Sequence, residues 1–140
     1  MKEFFETKIK FMKTMEDGLQ KKVTESYLVG AMTFTEAENR IIEEMTPFIV
    51  GEFEVNAVKK FKVNELFLTD ADNYYCAKVA SITLDEKSGV EKTSVSNMVI
   101  RADKFKDAYD ALVDGMKGTM SDWEVVSISK MSILDIFGDD

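Results

Sequence analysis

Four lysines are the residues whose placement points most directly to chemistry. Lys8 and Lys78 lie 70 residues apart, as do Lys60 and Lys130, and all four fall out of phase with the apolar positions around them. If the strands that carry them pair, the four ammonium groups share one open sheet face, joined by Lys10 and Lys62. Such a face attracts a small anion, including a two-fold symmetric one such as a cyclic dinucleotide. Tyr74, Tyr75 and Trp123 are suited to stacking on a base. Lysines also solubilise an exposed sheet face and discourage edge pairing, so both a binding and a solubilising role stand open for Lys8, Lys60, Lys78 and Lys130.

The other residue types narrow the chemistry further. The chain has no histidine and one cysteine, which removes histidine-based triads, Cys–His dyads and the usual zinc and iron–sulfur ligand sets. Neither G-x-x-x-x-G-K-[ST] nor G-x-G-x-x-G occurs, so no phosphate-cradling loop is indicated. Asp70, Asp72, Asp85 and Glu86 sit in turn-forming stretches, where acids serve solvation and turn formation, although carboxylate–magnesium chemistry stays open. Cys76 follows two tyrosines in a strand pattern and reads as a small hydrophobe. No catalytic residue, metal site or cofactor is expected.

The elements that must position these residues come in two copies. Phe53–Phe67 (FEVNAVKKFKVNELF) aligns without a gap on Trp123–Phe137 (WEVVSISKMSILDIF), with four identities and six conservative pairs in fifteen positions. The likeness extends upstream. Tyr74-Tyr75 answer Phe4-Phe5 at the same offset of 70, and Gly89, Lys92, Phe105, Ala108, Leu112 and Met116 answer Gly18, Lys21, Phe34, Ala37, Ile41 and Met45 at 71. The changes of offset fall in loops, as duplication of a folded unit leaves them.

Each copy reads as strand, strand, helix, strand. Alternation from Phe4 to Thr14, a Glu16-Asp17-Gly18 turn and a returning strand from Lys21 to Val29 make a hairpin. Thr33 and Glu36 form a capping box ahead of a helix over 34–46, which Pro47 and Gly51 end. The second helix, over 104–116, is expected to be capped by Asp103. The third strand, from Phe53, places its odd positions (Phe53, Val55, Ala57, Phe61, Val63) toward a core and lies beside the first. At fifteen residues it exceeds ordinary strand length, so a bulge or bend is expected near Lys59-Lys60 and Ser129-Lys130. The expected fold is α+β: an internally duplicated ββαβ unit in a single domain over 1–140, with repeats 4–68 and 74–137. The two halves form a mainly antiparallel sheet or half-barrel with both helices on its apolar face.

Composition sets outer limits. In 140 residues, 45% hydrophobic and 11% aromatic, the chain can bury roughly two-thirds of its unfolded surface. A net charge of −8 disfavours general binding to nucleic acid or anionic membranes. One cysteine fits a reducing compartment, the charge-interrupted N-terminus carries no signal-peptide core, and no apolar run reaches membrane-spanning length. A cytoplasmic location is expected. Leu66-Phe67-Leu68 and Ile133–Phe137 carry more apolar bulk than alternation requires, so they either close the core between the halves or form a self-association patch.

The stretch QKKVTESYLVGAMTFTEAENRIIEEMTPFIVGEFEV, with ITLDEKSGVEK and GMKGTMSDWEV, resembles an uncharacterised family of small proteins from Bacteroidales-type gut bacteria and their phages. The likeness covers nearly the whole chain and is most specific over TFTEAE-R-IEEMTPFI. It implies a small bacterial or viral domain and supplies no catalytic or binding residue. The chain is therefore expected to be a non-enzymatic binding protein. In a phage setting it would act against host defence by sequestering a small anionic or nucleotide ligand or by blocking a host protein. The alternative is a protein–protein adaptor or structural homodimer.

Overall fold

A computed structural model of the protein describes residues 3–139. In chain order its elements are β1 (Glu3–Thr14), β2 (Gln20–Ala31), α1 (Phe34–Met45), β3 (Phe53–Phe61), β4 (Glu65–Phe67), β5 (Asn73–Leu84), β6 (Glu91–Ala102), α2 (Phe105–Gly115), β7 (Asp122–Lys130) and β8 (Ile133–Phe137). The class is α+β, as the patterning predicts. The strands, however, form two four-stranded sheets instead of one, ordered β3-β1-β2-β8 and β4-β6-β5-β7. The chain divides accordingly into two compact units. Unit 1 runs up to Lys62 and resumes at Ile133; unit 2 is Val63–Ser132.

In unit 1 the hairpin closes where predicted. Gly18, at φ 83°, donates its N–H to the Met15 carbonyl at 2.9 Å, a left-handed conformation that costs glycine nothing. β1 pairs antiparallel with β2 and, on its other side, with β3, which puts the third strand beside the first. Phe5, Ile9, Tyr27, Val29 and Ala31 pack beneath Ala37, Ile41 and Met45 of α1. Thr33 caps that helix, accepting from the Glu36 amide at 3.1 Å. The Glu36 carboxylate reaches one residue further back than the expected box requires, accepting from the Met32 amide, just before the cap, at 2.9 Å.

Unit 2 repeats the plan. Tyr75, Ala77, Val79, Met98, Ile100 and Ala102 pack with Ala108, Leu112 and Met116. Read from its other edge, its strand order β7-β5-β6-β4 corresponds one for one with that of unit 1. The cap of α2 departs from expectation. Lys104 occupies the N-cap with no side-chain hydrogen bond, while the carboxylate of Asp103 accepts from the Asp72 amide at 2.9 Å.

The fifteen-residue third strands are each two strands. β3 ends at Phe61 and β4 joins the sheet of unit 2, parallel to β6; β7 ends at Lys130 and β8 joins unit 1, parallel to β2. Each sheet is thus completed by the strand that follows the other sheet's edge strand. The Leu66–Leu68 and Ile133–Phe137 stretches owe their apolar bulk to this role: Phe67 packs on the core of unit 2 and Phe137 on that of unit 1. The bulges also lie earlier than predicted. Lys8 faces Ala57 and Ile9 faces Val55, so Asn56 is the extra residue; Lys78 faces Ser127 and Val79 faces Val125, so Val126 is. One unpaired residue reverses the side-chain phase. Phe53, Val55 and then Val58 pack on the core, whereas Ala57 and Phe61, expected there, face the other way.

Candidate functional site

The bulges decide where the lysines go. Lys8 pairs with Ser26 and Ala57, on the face away from α1. Lys60 pairs with Phe5, a core residue, so it lies on the helix-covered face at the sheet edge. There its ammonium meets the Glu3 carboxylate at 3.3 Å and stands 5.9 Å from the centre of the Phe34 ring. Lys78 pairs with Asn97 and Ser127, and Lys130 with the core residue Tyr75. Lys8 and Lys60 are therefore on opposite faces of one sheet, and Lys78 and Lys130 on opposite faces of the other. Of the partners expected for Lys8, Lys10 does share its face, where it pairs with Thr24 and Glu54.

The remaining candidates also resolve. Asp85 accepts from the Lys87 amide at 3.0 Å within its turn and lies 4.0 Å from Lys92. Among the described residues no three His, Cys, Asp or Glu side chains converge as metal ligands, and no helix is long and apolar enough to cross a membrane. Cys76 is half-buried; burial pushes its thiol pKa up, partly offset by Lys78, which disfavours the nucleophilic thiolate.

A largely apolar concavity lies in unit 1, where β1, β2 and β8 meet the C-terminal end of α1. It is an open groove of about 500 Å³ walled by Phe11, Tyr27, Met45, Phe48, Ile49, Leu134 and Phe137, with Lys13, Glu25, Glu44 and Asp135 among its lining. Local sequence builds each wall. The alternation of β2 puts Glu25 and Tyr27 on the same, helix-facing side. After Met45 the backbone turns, its carbonyl accepting from the Phe48 and Ile49 amides at 3.0 and 3.1 Å. That turn tucks Ile49 inward and leaves Phe48 78% exposed at the rim. β8 brings Leu134, Asp135 and Phe137, whose ring stacks on Tyr27 at 5.5 Å.

Its electrostatics are acidic. The Tyr27 hydroxyl donates to the Glu25 carboxylate at 3.0 Å, and Lys13 approaches Glu25 at 3.9 Å. Arg40 pairs with Glu44 at 2.9 Å. Burial, then the charge and hydrogen bond of Glu25, then Asp135, hold the Tyr27 phenol far above its ordinary pKa of 10.0. A second cleft, of about 530 Å³, shares Phe11, Lys13, Phe48 and Ile49 and continues past Val50 to the hairpin arm at Gln20. Together they make an extended apolar surface around Phe48, with Val50 97% exposed.

The corresponding place in unit 2 carries different residues. Met98 stands for Tyr27, Ser96 for Glu25 and Gly115 for Glu44, and the Phe67 ring lies where a side chain at position 115 would begin. Sequence reasoning singled out Ile133–Phe137 as apolar surface but passed over Glu25, Tyr27 and Phe48. A carboxylate and a phenol two residues apart on one strand face were the available signal.

No curated protein and no solved structure matches the chain. A family model does match, over residues 3–139, essentially every residue described above. The chain belongs to the family of the domain of unknown function DUF4494.

Proposed function

We propose that the protein is a non-enzymatic binding protein that holds a segment of a partner protein in the unit 1 groove and so masks or recruits that partner. The observation that carries this is Phe48, exposed at the mouth of a groove whose walls are already apolar. A large aromatic beside a hydrophobic cleft is the arrangement that anchors protein interfaces. Of the functions expected from the residues alone, this is the protein-holding one, and blockade of a host protein is its version in a phage setting. The small-anion alternative is weaker, because Lys60 and Lys130 do not stand on the faces that carry Lys8 and Lys78.

The test is selection of peptides from a random display library on the immobilised full chain, followed by competition against Phe48→Ser. Peptides that bind the wild-type chain and lose at least about tenfold on the variant, of the order expected for an interface anchor, support the proposal. A library that yields no binder sensitive to Phe48 or Tyr27 overturns it.

A further inference from the structure

The groove's lining also carries information about what kind of segment it takes. Three carboxylates, from Glu25, Glu44 and Asp135, line it against one cation, Lys13. They arrive from three different elements, β2, α1 and β8, so no single turn or cap accounts for their convergence. All three have partners within the fold. Glu25 shares its charge between the Tyr27 hydroxyl and a Lys13 ammonium 3.9 Å away on a side chain about half exposed, and Glu44 is held by Arg40. Asp135 accepts from the neighbouring Ile136 amide at 2.8 Å. At the corresponding positions of unit 2, Ser96 and Gly115 carry no charge, and only Glu65 answers Asp135. The negative charge is therefore a property of this groove and not of the shared fold.

We infer that the groove is specific for a basic amphipathic segment, one that places an arginine or lysine between Glu25 and Asp135 and flanking apolar side chains against Phe11, Phe48 and Phe137. This rests on the proposed protein-holding function and names its partner by chemistry. Two features favour such an occupant. A cation entering here meets carboxylates in a partly desolvated site, where their attraction is worth more than in water. The Phe48 ring, 78% exposed at the rim, offers such a cation an aromatic face as well. An acidic segment meets like charge instead, and the net charge of −8 works against it at long range.

The experiment is a pair of titrations of the isotope-labelled full chain, followed by amide NMR. The probes are the blocked peptides acetyl-Leu-Trp-Arg-Leu-Lys-amide and acetyl-Leu-Trp-Glu-Leu-Glu-amide. The expected result is shifts at Tyr27, Phe48 and Asp135 with the basic peptide, at least about tenfold weaker binding of the acidic one, and a loss of that preference at about 1 M salt. Asp135→Asn retains an oxygen for the Ile136 amide, and Glu44→Gln retains one for the Arg40 guanidinium. Each is expected to weaken the basic peptide several-fold while leaving thermal unfolding near wild type. Equal affinity for the two peptides overturns the charge specificity and leaves the protein-holding function standing. Binding of neither peptide overturns the specificity too, and if the display library also fails, the holding function falls with it.

Discussion

Tyr27 shows how one side chain can couple fold and groove. Its ring belongs to the core of unit 1, and its hydroxyl reaches the groove wall at Glu25. Because the folded protein holds the phenol above its ordinary pKa of 10.0, the native state keeps a proton that the unfolded chain releases once the pH passes that value. Stability should therefore be unaffected by this group below about pH 10 and fall as the pH rises beyond it. Tyr27→Phe should cost about 0.5–1.5 kcal/mol at neutral pH for the lost hydrogen bond. Its deficit relative to wild type should shrink at alkaline pH. Urea midpoints of both chains across that range measure this, and a deficit that stays constant with pH would show that the phenol titrates normally.

Among the elements, the two helices differ most at their first turns. α1 has a threonine cap and a glutamate that reaches back to Met32, whereas Lys104 begins α2 with no side-chain acceptor for the free amides. Thr33→Ala should cost about 1 kcal/mol, and Lys104→Ser should stabilise by up to about 1 kcal/mol. Chemical denaturation of the two variants decides it, and a stabilising Thr33→Ala or a destabilising Lys104→Ser would contradict the geometry of these caps. Most elements were legible beforehand, because alternation, turn glycines and the stripes Ala37-Ile41-Met45 and Ala108-Leu112-Met116 are local signals. The bulges at Asn56 and Val126 were not. Neither residue is a glycine or proline, and only the register against β1 and β5 exposes the extra residue. That single miscount moved Lys60 and Lys130 to the other faces and dissolved the expected four-lysine surface.

For the whole chain, the decisive feature is that β8 completes unit 1 from the far end of the sequence. It ends at a close backbone approach. A Cβ on Gly30 would land on the Gly138 carbonyl oxygen, which is backbone and cannot rotate away. Gly30→Ala should therefore displace the end of β8 and destabilise the protein by about 1–3 kcal/mol, the usual range for overpacking. Since β8 supplies Leu134, Asp135 and Phe137 to the groove, the variant should also disturb the NMR signals of those residues, while the Tyr75 and Ile100 signals of unit 2 serve as reference. Wild-type stability together with unmoved β8 signals would sink this account.

By itself the sequence determined the α+β class, the two-fold recurrence of strand, strand, helix, strand, and the helix-facing stripes, because each of these follows from short-range periodicity and turn chemistry. Only the tertiary structure decided which sheet β4 and β8 would join, where the register slips, and hence that Tyr27, Glu25, Phe48 and Asp135 converge. Those outcomes depend on pairings between strands more than a hundred residues apart in the chain, and no local pattern records which of two similar sheets a five-residue strand will complete.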